Sequence, residues 1–258
     1  MNNRRVILPN IVTGCNLLFG IFALMLVLTE DYAMACICIF IAMLFDFLDG
    51  QVARWQQATS QFGMEFDSLS DLVSFGIAPG LMGFAAYMRE MDEIGVFICA
   101  VYMLACGIRL AKFNVLASKP TGKKIFYGLP SPAAAGFVCS TLLLLNKFDN
   151  ALIVKLFPLS VLGAGILMVS NVKYPVPMSF LFFLKHRITG LPRVIFIGVF
   201  AFLFVSHAEI LMYSVFSIYM ITGIIRTAFS TKTVRYSVPI QAQSETILRK
   251  SRWNNRSK

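Results

Sequence analysis

Charge is scarce in this sequence: 14% of its 258 residues are Asp, Glu, Lys or Arg, and only 13 are acidic. With 57% hydrophobic residues beside that shortage, an ordinary soluble domain is excluded. Histidine is scarcer still. His186 and His207 both fall at ends of apolar runs, where interfacial residues are commoner than catalysts. No Ser-His or Cys-His pair offers a covalent nucleophile. The six cysteines, Cys15, Cys36, Cys38, Cys99, Cys106 and Cys139, lie within apolar runs and lack metal-ligand spacing. They read as small lipid- or core-facing residues, with no support for a disulfide framework or a zinc site. Neither an internal repeat nor a second soluble domain is visible.

What the chain has instead is a series of long apolar runs. Their lengths predict an all-α integral membrane protein of about eight transmembrane helices, at roughly 11–29, 33–55, 64–88, 94–116, 131–146, 151–170, 192–206 and 209–229. Pro9 and Asn10 suit the entry to the first span. Arg4, Arg5 and the run that follows imitate a signal peptide. However, about nineteen apolar residues exceed an h-region, and Glu30 and Asp31 separate them from the small residues Ala33 and Ala35. A first transmembrane helix is expected instead. Pro175 and Pro177 interrupt residues 171–187, which read as a re-entrant or interfacial segment. Residues 230–258 form a basic tail without apolar periodicity, expected to be disordered and to touch the membrane.

The formal net charge is +10, and its distribution favours the anionic cytoplasmic leaflet over nucleic acid as partner. With eight spans and a cytoplasmic N-terminus, Arg89, Lys147 and Lys155 are the only basic residues at outer ends among 23 Lys and Arg. Acids run the other way, with Glu30, Asp31, Glu90, Asp92, Glu93, Asp149 and Glu209 outside. The positive-inside bias places both termini in the cytoplasm. A bacterial cytoplasmic membrane is the expected location.

Four aspartates break the apolar pattern, in the stretch DFLDGQVARWQQATSQFGMEFDSLSD from Asp46 to Asp71. Asp46 and Asp49 are i and i+3, and Asp67 and Asp71 are i and i+4, so each pair shares one helix face. They end one span and begin the next, on the same membrane side. Ionisable groups at such depth are costly and usually functional. Four anions packed together need cations to stay ionised, and an all-oxygen donor set suits Mg²⁺ or Mn²⁺, which share their shell with phosphates. Phosphoryl chemistry follows. Gly50, Ala53 and Gly63 leave room for a ligand near the backbone, and Arg54 offers a planar donor to phosphate. Thr13 and Asn16 read equally well as ligand contacts and as interhelical ones.

The spacing D-x2-D-G-x2-A-R-x8-G-x3-D-x3-D resembles the signature of the CDP-alcohol phosphotransferases, with each signature position present. The resemblance covers about residues 9–175. It implies a six-helix catalytic core, usually homodimeric, that binds a CDP-linked lipid and two divalent cations. The later spans then form an extension. The chain divides accordingly into a catalytic membrane domain at 1–175, a C-terminal membrane extension at 176–229 and a basic cytoplasmic tail at 230–258. Carried over residue by residue, the resemblance makes Asp46, Asp49, Asp67 and Asp71 the metal ligands and Asp71 also the general base. It places Asp49, Gly50, Ala53, Arg54, Ser60 and Gly63 around the nucleotide.

The pieces DSLSDLVSFGIAPG, GIRLAKFN, FYGLPSPAAAG and SNVKYPVP are similar to the phosphatidylserine synthase branch of that family, with Lys112 where arginine is common. This implies CDP-diacylglycerol and L-serine as substrates. A serine carboxylate needs a cation, for which Arg109, Asn114 and Lys124 are the candidate residues. Choline, or serine with an archaeal-type lipid donor, remains an alternative on the same fold. A transport or non-catalytic membrane protein using the acids for ion passage is the alternative of another class.

Overall fold

A computed structural model describes residues 4–56, 60–117, 128–148, 151–174 and 207–228. Among these the chain is built from helices: α1 (Arg4–Leu28), α2 (Tyr32–Gln56), α3 (Gln61–Asp71), α4 (Ala78–Tyr87), α5 (Asp92–Ala117), α6 (Ser131–Lys147), α7 (Ala151–Val169) and α8 (Ala208–Ala228). A π-helical segment, Leu72–Ile77, joins α3 to α4 without a break, and a 3₁₀ turn, Arg89–Met91, leads into α5. Six stretches are long and apolar enough to cross a membrane: Ile7–Leu28, Tyr32–Val52, Gln61–Tyr87, Arg89–Leu116, Ala151–Val169 and Ala208–Ala228. The protein is an integral membrane protein. The span expected at 192–206, the loop holding Lys124 and the tail from 230 lie outside the described residues.

Helices α1 and α2 form an antiparallel pair, joined by a turn in which Glu30 takes a φ of 61°. Phe19 stacks on Phe45 between them, with ring centroids 5.5 Å apart. A second pair, α5 and α7, packs on the other side of the α3–α4 rod. At the centre lies α6, whose residues from Ser131 to Leu145 are buried or half-buried. Tyr102, Phe75, Met82, Phe157 and Met168 fill the core around it. Leu18, Phe22, Leu104, Leu159 and Ile166 point outward, as an apolar solvent requires. All six cysteines are free thiols, five of them buried.

Two local features differ from the expectation. Helix α1 begins at Arg4, so Pro9 lies inside it rather than at its entry. Its ring removes one N–H from the helical ladder close to the open first turn, where the loss is smallest. The third span is also not a uniform α-helix, because the π segment starts directly after Asp71. Its wider turn is held from both sides. Tyr102 of α5 donates its hydroxyl to the Phe75 carbonyl at 3.0 Å, and Ser74 donates to the Asn16 carbonyl of α1 at 3.0 Å.

The two ends of the bundle differ in chemistry. One end gathers the C-terminus of α2, the N-terminus of α3, the C-termini of α5 and α7 and the start of α6. There Gly128 and Leu129 donate their N–H groups to Val172 and Leu167, tying the entry of α6 to the exit of α7. The far end carries two exposed ion pairs, Arg89–Glu30 at 3.2 Å and Lys147–Glu209 at 3.0 Å. Each joins residues expected on the outer side.

Candidate active site

The aspartates lie where two helix ends face each other. Asp46 and Asp49 sit one turn apart near the end of α2. Asp67 and Asp71 sit one turn apart on α3, which Ser60 starts as an N-cap: extended at φ −119°, it accepts the Gly63 N–H at 3.0 Å. Carboxylate oxygens of Asp46, Asp49 and Asp67 come within 4.8 Å of one another. Asp71 is not one of that trio. It is buried beside Asp46, as Asp49 is buried within the trio.

Helix α1 supplies the neutral partners of these acids. The Thr13 hydroxyl donates to Asp49 Oδ2 at 2.9 Å and is also close to the Pro9 carbonyl at 3.1 Å. Asn16, fully buried, donates Nδ2 to Asp71 Oδ1 at 3.1 Å. Both polar residues of the first span therefore make interhelical contacts, and they make them to the site itself. The close approach that permits this is at Gly20, where a Cβ would fall 2.3 Å from Ser74 Oγ and 3.0 Å from Ser74 Cα. No larger residue fits between α1 and the π segment without moving backbone.

The donor set fits a divalent cation on its own terms. Three carboxylates converge, and Asp67 Oδ1 is buried with no hydrogen-bond partner, an acceptor that lacks a positive charge. Two carboxylates in contact, as Asp46 and Asp71 are, also need a cation or a proton between them. Among the described residues Arg109 is the basic side chain within electrostatic reach of Asp46 and Asp71.

The residues assigned to the acceptor separate. Arg109, on α5, turns toward the aspartates, donates Nη1 to Ser131 Oγ at 3.0 Å and keeps a buried Nε with no partner. Asn114 turns to the outer flank of α3, donating to Ser68 Oγ at 2.9 Å and to Glu65 Oε2 at 3.4 Å. Helix α5 stays regular through both positions, so five residues of spacing send them to different neighbours. Lys112 approaches the Val169 carbonyl at 3.4 Å. Gly50 follows Asp49 in α2. At Gly63 a Cβ would meet Ser60 Oγ at 3.0 Å and Asn10 Oδ1 at 3.2 Å. Ala53 and Arg54 continue the backbone of α2, but their side chains lie outside the described set, as does Lys124. Sequence reasoning overlooked Ser131, whose only signal was its place in the segment that follows Gly128.

The sequence pattern of this whole arrangement matches the family model described as CDP-alcohol phosphatidyltransferase over residues 6–174. The chain belongs to that family. Among relatives, a CDP-diacylglycerol–serine O-phosphatidyltransferase of Helicobacter pylori is 36% identical over 230 residues, 88% of this chain and 93% of its own. The protein of the same name in Bacillus subtilis is 36% identical over 170 residues, 65% of this chain and 89% of its own. An archaetidylserine synthase of Methanothermobacter thermautotrophicus is 35% identical over 182 residues, covering 68% and 74%. In this CDP-alcohol phosphatidyltransferase the six-helix core corresponds to α1 through α7, with α3 and α4 counted as one rod, and α8 lies beyond the matched region.

Proposed function

We propose that the protein transfers the phosphatidyl group of CDP-diacylglycerol to the hydroxyl of L-serine, giving phosphatidylserine and CMP. The observation that carries the chemistry is the convergence of Asp46, Asp49 and Asp67 with Asp71 beside them. The acceptor is carried by the relatives, since serine is common to the names of the bacterial and archaeal proteins while the lipid differs. The catalytic unit is residues 1–175, with 176–229 as membrane extension and 230–258 as tail.

Asp46, Asp49, Asp67 and, on the Asp46 side, Asp71 would hold two divalent cations, Mg²⁺ or Mn²⁺. When bound, these neutralise charge on the pyrophosphate and on the leaving CMP. The chain's own groups do the rest. Asp71, braced by Asn16, takes the proton of the serine hydroxyl as that oxygen forms its bond to the lipid-side phosphorus. The bond from that phosphorus to the bridging oxygen breaks, and the oxygen leaves with CMP. A single displacement suffices. Gly50, Ala53, Arg54, Ser60 and Gly63 are proposed to surround the nucleotide, and Arg109 to meet the serine carboxylate with its free Nε edge. Asn114, which donates to Ser68 of α3, and Lys124 are proposed to border the serine site. The site is proposed to open to the cytoplasm of a bacterial inner membrane, in a homodimer.

The test is CMP release by the purified protein from CDP-diacylglycerol, offered serine, choline, inositol or glycerol 3-phosphate, each with Mg²⁺, Mn²⁺ or chelator. Release that needs both serine and a divalent ion is expected. Release with choline or inositol but not serine overturns the acceptor, and release in chelator overturns the metal site.

A further inference from the structure

Helix α8 lies outside the matched family region, and the sequence gives it no task. Its docking is nevertheless specific. It runs antiparallel to α6, with Lys147 paired to Glu209 at one end, Tyr213 on Phe137 at 6.0 Å and Phe216 against Gly136 further along. At Gly136 a Cβ would fall 2.2 Å from the Phe216 ring, and at Gly223 a Cβ would fall 2.1 Å from the Tyr174 ring. Tyr174 donates its hydroxyl to the Met220 carbonyl at 3.3 Å, and Lys173 donates its N–H to Thr227 Oγ1 at 3.0 Å. The α8 register is thus fixed at several points along α6 and on the segment after α7.

That register decides what α8 offers to the site. Counted from the Phe216–Gly136 contact, five residues back along α6 reach Ser131 and five forward along α8 reach Ile221, so the N-terminus of α6 meets the stretch of α8 that holds Tyr219 and Met220. Ser131 is the residue that accepts from Arg109. Tyr219, half-buried and with its ring 5.5 Å from that of Tyr174, is within electrostatic reach of the Arg109 guanidinium. A phenolic oxygen accepts hydrogen bonds, and a buried guanidinium needs acceptors for its five N–H groups. Ser131 covers one of them.

We infer that Tyr219 is a positioning residue for the acceptor: with Ser131 it orients Arg109, so that α8 helps to set serine recognition from outside the family core. The inference rests on the proposed role of Arg109. It gives the extension a part in substrate selection that a lipid anchor lacks.

The experiment uses the full-length protein with Tyr219→Phe, which keeps the ring on Tyr174 and removes only the hydroxyl. CMP release is measured with serine and CDP-diacylglycerol varied in turn. The serine KM is expected to rise about three- to tenfold, as for the loss of one polar neighbour of a charged group. The KM for CDP-diacylglycerol and the kcat at saturating serine stay within about twofold. Arg109→Lys and the double variant complete a cycle in which Tyr219→Phe adds little once Arg109 is replaced. An unchanged serine KM in Tyr219→Phe, a change in kcat or lipid KM alone, or full additivity in the cycle overturns the inference. If Arg109→Lys itself leaves the serine KM unaltered, the Arg109 assignment fails, and the role of Tyr219 with it. If Arg109→Lys raises that KM while Tyr219→Phe does not, only the Tyr219 step is lost.

Discussion

At the scale of single residues the site is a set of four acids, two of them held by neutral neighbours on α1. Thr13 holds Asp49 and Asn16 holds Asp71, while Asp67 keeps one buried oxygen without a partner. On the proposed metal site, replacing Asp67 by Asn removes a charge that a bound cation would satisfy. CMP release by Asp67→Asn is expected to fall about a hundredfold or more, since even outer partners of metal ligands cost 10- to 100-fold. In chelator the same variant should melt no lower than the parent, because an uncompensated buried charge has been taken away. Activity assays and thermal melts of the purified protein check both parts. Retained activity, or a lower melting point in chelator, counts against the cluster. The four aspartates were legible in the sequence because a fixed helical period puts each pair on one face. Their partners were not. Thr13, Asn16 and Ser131 are ordinary small polar residues of membrane helices, and only the packing of distant segments tells which of them reach a carboxylate or a guanidinium.

At the scale of elements, α2, α5, α6, α7 and α8 follow the apolar runs closely, since the membrane dictates how long an apolar run must be. The π segment escaped that reading. Its wider turn depends on contacts from α1 and α5, through Ser74 and Tyr102, rather than on a local propensity. It sets the rotation of the rod just after Asp71, and α1 presses against it at Gly20. Gly20→Ala should therefore destabilise the protein by about 1–3 kcal/mol, as overpacking of a tight interface does. Because Ser74 bonds the backbone of Asn16, which braces Asp71, kcat should fall as well. A melt and a kcat measurement on Gly20→Ala decide it. An unchanged melting point means that the close approach at Gly20 carries no constraint.

For the whole molecule, the polar site lies at one end and the ion pairs Arg89–Glu30 and Lys147–Glu209 at the other. On the proposed cytoplasmic orientation, which the lysine and arginine bias favours, a cysteine at Asp92 should react with an impermeant maleimide added outside intact cells. One at Gln61 should react only after the membrane is opened. Both positions are exposed, and five of the six native thiols are buried, which keeps the background low. The reverse pattern inverts the topology and cuts the site off from its nucleotide.

The central helix α6 has a further consequence, for how the protein is made. Its 17 residues rise about 25 Å, short of the roughly 30 Å of hydrocarbon, and they are sheltered from lipid almost throughout. A segment that meets so little of the bilayer is partly released from the demand to be oily enough to enter it alone. Ser131, Ser140 and Thr141 are buried along it at no cost to solubility in lipid. During synthesis a helix this short gains from the helices already in place beside it. Assembly of the active site and insertion of its central strut then become a single event.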